Sequence, residues 1–176
     1  MDGLKKNILI SGLPGIGKTT LIKNLIQKIP LSRPVGFYTE EIRHEGERRG
    51  FQAVSLHGEK LILAHELLQS GYRVGKYKVD VKGFDAFLSS IGFFGDPERP
   101  VIIDEIGKME CLSRKFIRIT SELLDSPATL VATIAHTDGG IKGRIKKRDD
   151  VLLYKMNLDN RDTLLSDILN DLNNLS

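Results

Sequence analysis

The feature that most constrains this chain is the run ISGLPGIGKTTLIKNL, Ile10 to Leu25. A short apolar stretch, Asn7–Ser11, ends in a glycine-rich loop. The loop feeds into apolar positions at helical spacing, Leu21, Ile22, Leu25, Ile26 and Ile29, with a stop expected at Pro30. Strand, loop and helix in that order open a parallel α/β arrangement. Gly12 to Thr19 also satisfies G-x-x-x-x-G-K-[ST] in full. Glycines let successive N–H groups turn inward around phosphate oxygens, and the helix start adds its positive end. Lys18 is expected to reach the β- and γ-phosphates, and the Thr19 hydroxyl to ligate Mg²⁺. The nucleotide-binding set here is Gly12, Leu13, Pro14, Gly15, Ile16, Gly17, Lys18, Thr19 and Thr20. The loop predicts a bound nucleoside triphosphate.

The remainder of the chain extends the same plan. Val35–Arg43 and Gly50–Gly58 flank a polar turn, HEGERR, and Lys60–His65 follows closely, a pattern that reads as an antiparallel meander. Val74–Val81 reads as extended and Phe84–Ile91 as helical. Arg99–Glu105, Thr129–His136 and Val151–Asn157 read as further strands. A helix over Ser113–Asp125 takes Ser113 as its N-cap. The last helix gathers Leu164, Leu165, Ile168, Leu169, Leu172 and Leu175 on one side. Strands alternating with helices imply a mostly parallel sheet covered on both faces, with the ligand at the strands' carboxyl ends.

The strand VIIDEI supplies the second half of the site. Asp104, at its tip, is placed to hold Mg²⁺ together with Thr19. The adjacent carboxylate, Glu105, can accept a proton from an attacking water or orient it. Glu105 and Lys18 are the expected catalytic residues, and Glu110 is a second candidate for the base. The whole run Val101, Ile102, Ile103, Asp104, Glu105, Ile106, Gly107 and Lys108 is assigned to the nucleotide site.

Composition narrows the class. At 176 residues the chain, 1–176, suits one domain. A net charge of +3 fits an anionic small ligand, and no dense Lys/Arg array marks a dedicated nucleic-acid site. The lone Cys111 admits no internal disulfide, which points to a reducing, cytoplasmic setting. No apolar run is long enough for a membrane helix. A monomer acting on nucleoside triphosphates is expected.

The chain resembles the small P-loop nucleoside-triphosphatases first described from thermophiles. GLPGIGKTT, GFYTEEIRHEGERRGF (Gly36–Phe51), VGKYKVDV, DEIGKME and NRD (Asn160–Asp162) carry the resemblance, in order and over nearly the whole length. One departure is Lys108, where proline is common in this family. The resemblance implies a three-layer α/β P-loop NTPase fold, its mostly parallel RecA-like sheet extended by the antiparallel meander. It implies Mg²⁺-dependent hydrolysis of ATP, GTP, CTP and UTP to the diphosphate and phosphate, with loose base choice. No [NT]-K-x-D segment follows the acidic strand, so the guanine-reading device of ordinary GTPases is absent. Residue spacing leaves two other classes open. One is a small kinase passing the phosphoryl group to a nucleotide, nucleic-acid end or metabolite. The other is a nucleotide-dependent switch that binds RNA or protein.

Further residues complete the expected site. His136 ends the strand expected beside the acidic one and could contact the γ-phosphate. Arg144 and Arg148, in a basic run with Lys146 and Lys147, are candidates for an arginine finger acting in cis from a glycine-flanked loop. By the fold implied above, Asn160 and Arg161 are expected near base and ribose, Arg161 stacking on a base of any identity. Arg43, Arg48 and Arg49 are read as solubilising a sheet edge, and Phe93 and Phe94 as core.

Overall fold

Period-two alternation in the central strands sorts the core into two layers. Leu9 faces one side of the sheet with Ile103 and Ala132, while Ile8, Ile10, Ile102 and Val131 face the other. Both faces must therefore be covered, and helices cover them. The computed structural model describes residues 5–29 and 34–175, so the helix stop expected at Pro30 lies outside the described residues.

The elements run β1 (Asn7–Gly12), α1 (Lys18–Lys28), β2 (Val35–His44), β3 (Glu47–Ser55), β4 (Lys60–His65), β5 (Arg73–Val74), β6 (Tyr77–Val79) and α2 (Val81–Ser90). Then come β7 (Val101–Ile106), α3 (Arg114–Asp125), β8 (Leu130–Ala135), α4 (Gly140–Lys146), β9 (Val151–Met156) and α5 (Leu164–Leu175). All strands lie in one nine-stranded sheet of order β5-β6-β4-β3-β2-β7-β8-β1-β9. The block β2-β7-β8-β1-β9 is parallel, and β3, β4, β6 and β5 extend it antiparallel. This is the expected three-layer plan with its meander.

Helices α1 and α5 cover one face, burying Leu21, Ile22, Leu25, Leu164 and Ile168. The other face is filled by Phe84 and Phe87 of α2 and Phe116 of α3 around Phe37. Phe37 meets the three rings edge-on or nearly so, with centroids 5.6, 5.9 and 6.2 Å away. Each such buried ring contributes about 2–3 kcal/mol by area, and the ring pairs about 1 kcal/mol more. Ser113 caps α3 as expected, its hydroxyl accepting from the Phe116 amide at 2.9 Å.

Strand β2 is the seam between the two halves, pairing with β7 on one side and β3 on the other. At Gly36 the backbone takes φ +129°, and a Cβ there would lie 1.8 Å from the Ile102 carbonyl oxygen. Only glycine fits, and its absent side chain lets the two strands close.

Several expectations are corrected. The turn between β2 and β3 is only Glu45–Gly46, so Glu47, Arg48 and Arg49 belong to the strand. The extended piece at 74–81 is two short strands, and α2 begins earlier, at Val81, because the Asp80 carboxylate caps it through the Gly83 amide. Arg144 and Lys146 of the basic run lie in α4 rather than in a loop, and Lys147 and Arg148 follow the helix. Phe93 is buried, but Phe94 is 53 % exposed and is not core. Among the described residues no helix is long and apolar enough to cross a membrane.

Candidate active site

Three neighbouring strands, β7, β8 and β1, bring their carboxyl ends together, and the site is built on those ends. Beyond β1 the loop turns into α1 through Gly17, whose φ of +111° is left-handed and suits a residue without Cβ. Lys18, the first residue of α1, is 8 % exposed. Its ammonium donates to the carbonyls of Gly12 (2.9 Å) and Leu13 (3.3 Å), and lies 3.6 Å from the Glu105 carboxylate. The lysine therefore spans the gap between the loop and the acidic strand.

Asp104 is buried, with 1 % exposure, and is held from two sides. The Thr19 hydroxyl donates to one carboxylate oxygen at 2.7 Å, and the Thr133 hydroxyl of β8 to the other at 2.5 Å. Burial pushes the Asp104 carboxyl above its ordinary range, opposed by these hydroxyls, the Thr39 backbone and Lys18. A desolvated carboxylate beside a hydroxyl, both hard oxygen donors facing a phosphate loop, is the donor chemistry Mg²⁺ requires. Thr19 and Asp104 fit that ion.

Glu105 is partly open, with 31 % of its side chain exposed. Burial raises its carboxyl too, and Lys18 and Lys142 oppose the shift. Glu110 follows β7 in a single 3-10 turn, Glu110–Leu112, and is 6 % exposed. Burial pushes its carboxyl up to about 8. Asp104, Glu105 and Glu110 all line one cleft of about 960 Å³ with Gly12, Lys18 and Thr19.

The structure brings most of the expected residues together and separates others. Leu13, Pro14, Gly15, Gly17, Thr20, Lys108 and His136 line the cleft. Val101, Ile102 and Ile103 are fully buried and Ile106 nearly so, facing the helices rather than the cleft. They support Asp104 and Glu105 from behind, and their assignment to the nucleotide site is corrected. Gly107 borders the cleft's carboxylates without lining it.

Ile16 lines a second cavity, about 740 Å³, on the β9 side of the loop. Leu13, Met156, Asn157, Leu158, Asp159, His136, Lys146 and Lys147 line it too. Asn160 and Arg161 do not. The Asn160 side chain instead stitches the turn after β9, accepting from the Asn157 amide at 2.9 Å and donating to the Lys155 carbonyl at 2.9 Å. Arg161 pairs with Asp162 at 3.6 Å.

Neither arginine-finger candidate reaches the cleft lining. Arg148 is tied to Asp125 and Asp150, each at 2.8 Å, and so fastens β9 to the end of α3. Arg144 lies on α4, outside both linings. Arg43 pairs with Glu41, and Arg49 with Glu47 and Glu66, on the surface as expected. Arg48 departs from that reading. It lies over the Phe51 ring at 5.2 Å, donates to the Tyr77 hydroxyl at 3.0 Å, and lines the cleft.

Thr133, Lys23 and Lys142 were missed. Lys23 pairs with Glu40 at 2.5 Å across the cleft wall. A hydroxyl on the strand next to the acidic one is the only sequence signal that pointed to Thr133.

A family model described as NTPase matches residues 7–169. The nucleoside-triphosphatase THEP1 of Thermotoga sp. (strain RQ2) is 46% identical over 163 residues, covering 92% of each chain. The human cancer-related nucleoside-triphosphatase is 35% identical over 182 residues, covering 94% of this chain and 96% of that one. The crystal structure of THEP1 from the hyperthermophile Aquifex aeolicus superposes with a TM-score of 0.82 at 34% identity, covering 94% of this chain and 98% of that one. A phosphate loop facing a buried aspartate and a half-open glutamate, with relatives matched end to end, places the chain in the small P-loop nucleoside-triphosphatase family, as a nucleoside-triphosphate hydrolase.

Proposed function

We propose that this chain hydrolyses ATP, GTP, CTP and UTP to the diphosphate and phosphate with Mg²⁺, acting alone as a single-domain cytoplasmic monomer. The observation that carries this reading is the Lys18–Glu105 pair at 3.6 Å beside the doubly bonded Asp104. It sets a cation, a buried carboxylate and a half-open carboxylate around one point at the loop. The triphosphate lies along Gly12–Thr20, and its oxygens take the place of the Gly12 and Leu13 carbonyls on the Lys18 ammonium. Thr19 and Asp104 would hold Mg²⁺, which would supply charge neutralisation to the phosphates. Glu105, released from Lys18, orients water in line with the leaving oxygen and takes its proton.

The second cavity supports loose base choice. Leu13, Ile16, Met156 and Leu158 give it an aliphatic wall. A wall of that kind takes a ring by shape, and apolar contact rejects a near-isostere only weakly. Asn157 and Asp159 line it too, outside any [NT]-K-x-D segment.

The test is phosphate release from each of the four nucleotides with Mg²⁺ and no acceptor, wild type beside Glu105→Gln. Release from all four is expected, reduced about 1,000-fold by the substitution with nucleotide affinity kept. Near-normal turnover in Glu105→Gln would remove the glutamate from its role.

A further inference from the structure

The run DEIGKME carries two glutamates, and the hydrolytic reading uses only the first. The second, Glu110, is buried, and its carboxyl faces the cleft. Among the described residues no lysine or arginine forms an ion pair with it. The backbone N–H groups of Gly107 and of Glu110 itself point toward its carboxyl.

Gly107 explains how the two glutamates meet. A Cβ on Gly107 would lie 2.7 Å from a Glu110 carboxylate oxygen and 2.9 Å from one of Glu105. Both side chains converge on the space that glycine leaves empty. Both side chains line the same cleft. The turn that carries Glu110 is itself anchored. The Cys111 amide donates to the Gly107 carbonyl at 3.1 Å, and the Ser113 amide to the Glu110 carbonyl at 3.0 Å. Ser113 in turn caps α3 and donates to Asp85 of α2. Glu110 is thus fixed to two packed helices, whereas Glu105 is partly exposed and tied to Lys18 alone.

We propose that Glu110 is a positioning residue for Glu105, acting across Gly107: its carboxyl is the wall that holds the Glu105 carboxylate on the line of attack once the triphosphate draws Lys18 away. This rests on the reading that Glu105 serves the water. Burial pushes the Glu110 carboxyl up to about 8, which favours its neutral form beside Glu105 over a second negative charge. Glutamine, isosteric and neutral, can stand in for such a group. Alanine cannot, because it leaves the wall open. A methyl group at Gly107 displaces both carboxylates at once.

The experiment measures kcat by phosphate release and nucleotide affinity by equilibrium binding for Gly107→Ala, Glu110→Ala and Glu110→Gln, with Glu105→Gln alongside. Gly107→Ala and Glu110→Ala are expected to lose about 100-fold in kcat with affinity within a few-fold of wild type, the size of loss a misplaced group causes. Glu110→Gln should recover most of what alanine loses. That rescue separates positioning from proton transfer. Glu110→Gln as inactive as Glu105→Gln would overturn the proposal, since Glu110 would then take the proton itself. Wild-type kcat in Glu110→Ala, with Glu105→Gln inactive, would overturn it and leave the hydrolytic reading standing. Normal turnover in Glu105→Gln would overturn both. If Glu110→Ala fails to fold by circular dichroism, Glu110→Gln and Gly107→Ala still decide the matter.

Discussion

The two cavities on either side of the phosphate loop differ in kind. The cleft on the α1 side is lined by Asp104, Glu105, Glu110, Lys18 and Thr19, each placed by a hydrogen bond, an ion pair or close packing. The cavity on the β9 side is walled by Leu13, Ile16, Met156 and Leu158, with Leu158 69 % exposed. In the first, a shift of an ångström changes chemistry. In the second, a shift of the same size changes only how well a flat ring is covered. On the function proposed above, an enzyme arranged this way would be strict about the phosphates and tolerant of the base.

The sharpest way to break this comparison is at the loop. Lys18→Ala should weaken Mg²⁺–nucleotide binding and cut turnover about 100- to 1,000-fold, by removing the cation that meets developing charge. Equilibrium binding and phosphate release on the same preparation check it. Binding and turnover both intact would dismiss the loop as the phosphate site.

The buried carboxyls of the cleft should also make stability depend on pH. Burial holds Glu110 at about 8, above its ordinary value of 4.5, and Asp104 and Glu105 are raised too. The folded protein then binds protons that the unfolded chain has released. Stability is full below the ordinary carboxylate range and falls as pH rises toward 8. For Glu110 the slope is at most about 1.4 kcal/mol per pH unit. Urea denaturation of the metal- and nucleotide-free protein at pH 5.5 and 8 should show the higher stability at 5.5, with the gap narrowed in Glu110→Gln. An unchanged gap in that variant would mean Glu110 is ionised.

The smallest effect is expected on the other side. Leu158→Ala should raise KM about threefold to tenfold by the same factor for ATP, GTP, CTP and UTP, with kcat little altered. A loss confined to one nucleotide would show that the aliphatic wall reads base identity after all.

The difference between the cavities also governs what was legible in the sequence. The phosphate loop, Asp104 and Glu105 are readable because their chemistry depends on residues a few positions apart at one strand end. The β9-side cavity is assembled from a loop after β1, the second half of α4 and the turn after β9, and no local spacing announces it. The expectation accordingly fell on Asn160 and Arg161, whereas the lining comes from residues 155–159. Arg148 looked like a catalytic cation because it sits in a basic run. Its partner Asp125 lies 23 positions away, invisible to such a reading. Val101–Ile103 were assigned to the site with the rest of their strand, but period-two alternation and full burial turn them toward the helices.

The seam at Gly36 has a mechanical consequence. Two strands that meet through a glycine of φ +129° against the Ile102 carbonyl cannot be shimmed apart without moving everything fixed to them. Further along β2 stands Thr39, whose backbone hydrogen-bonds Asp104, and then Glu40, clamped to Lys23. The jaw gap of the candidate cleft is thus gauged at its far end by the thickness of one hydrogen atom, several residues from the groups proposed to meet phosphate.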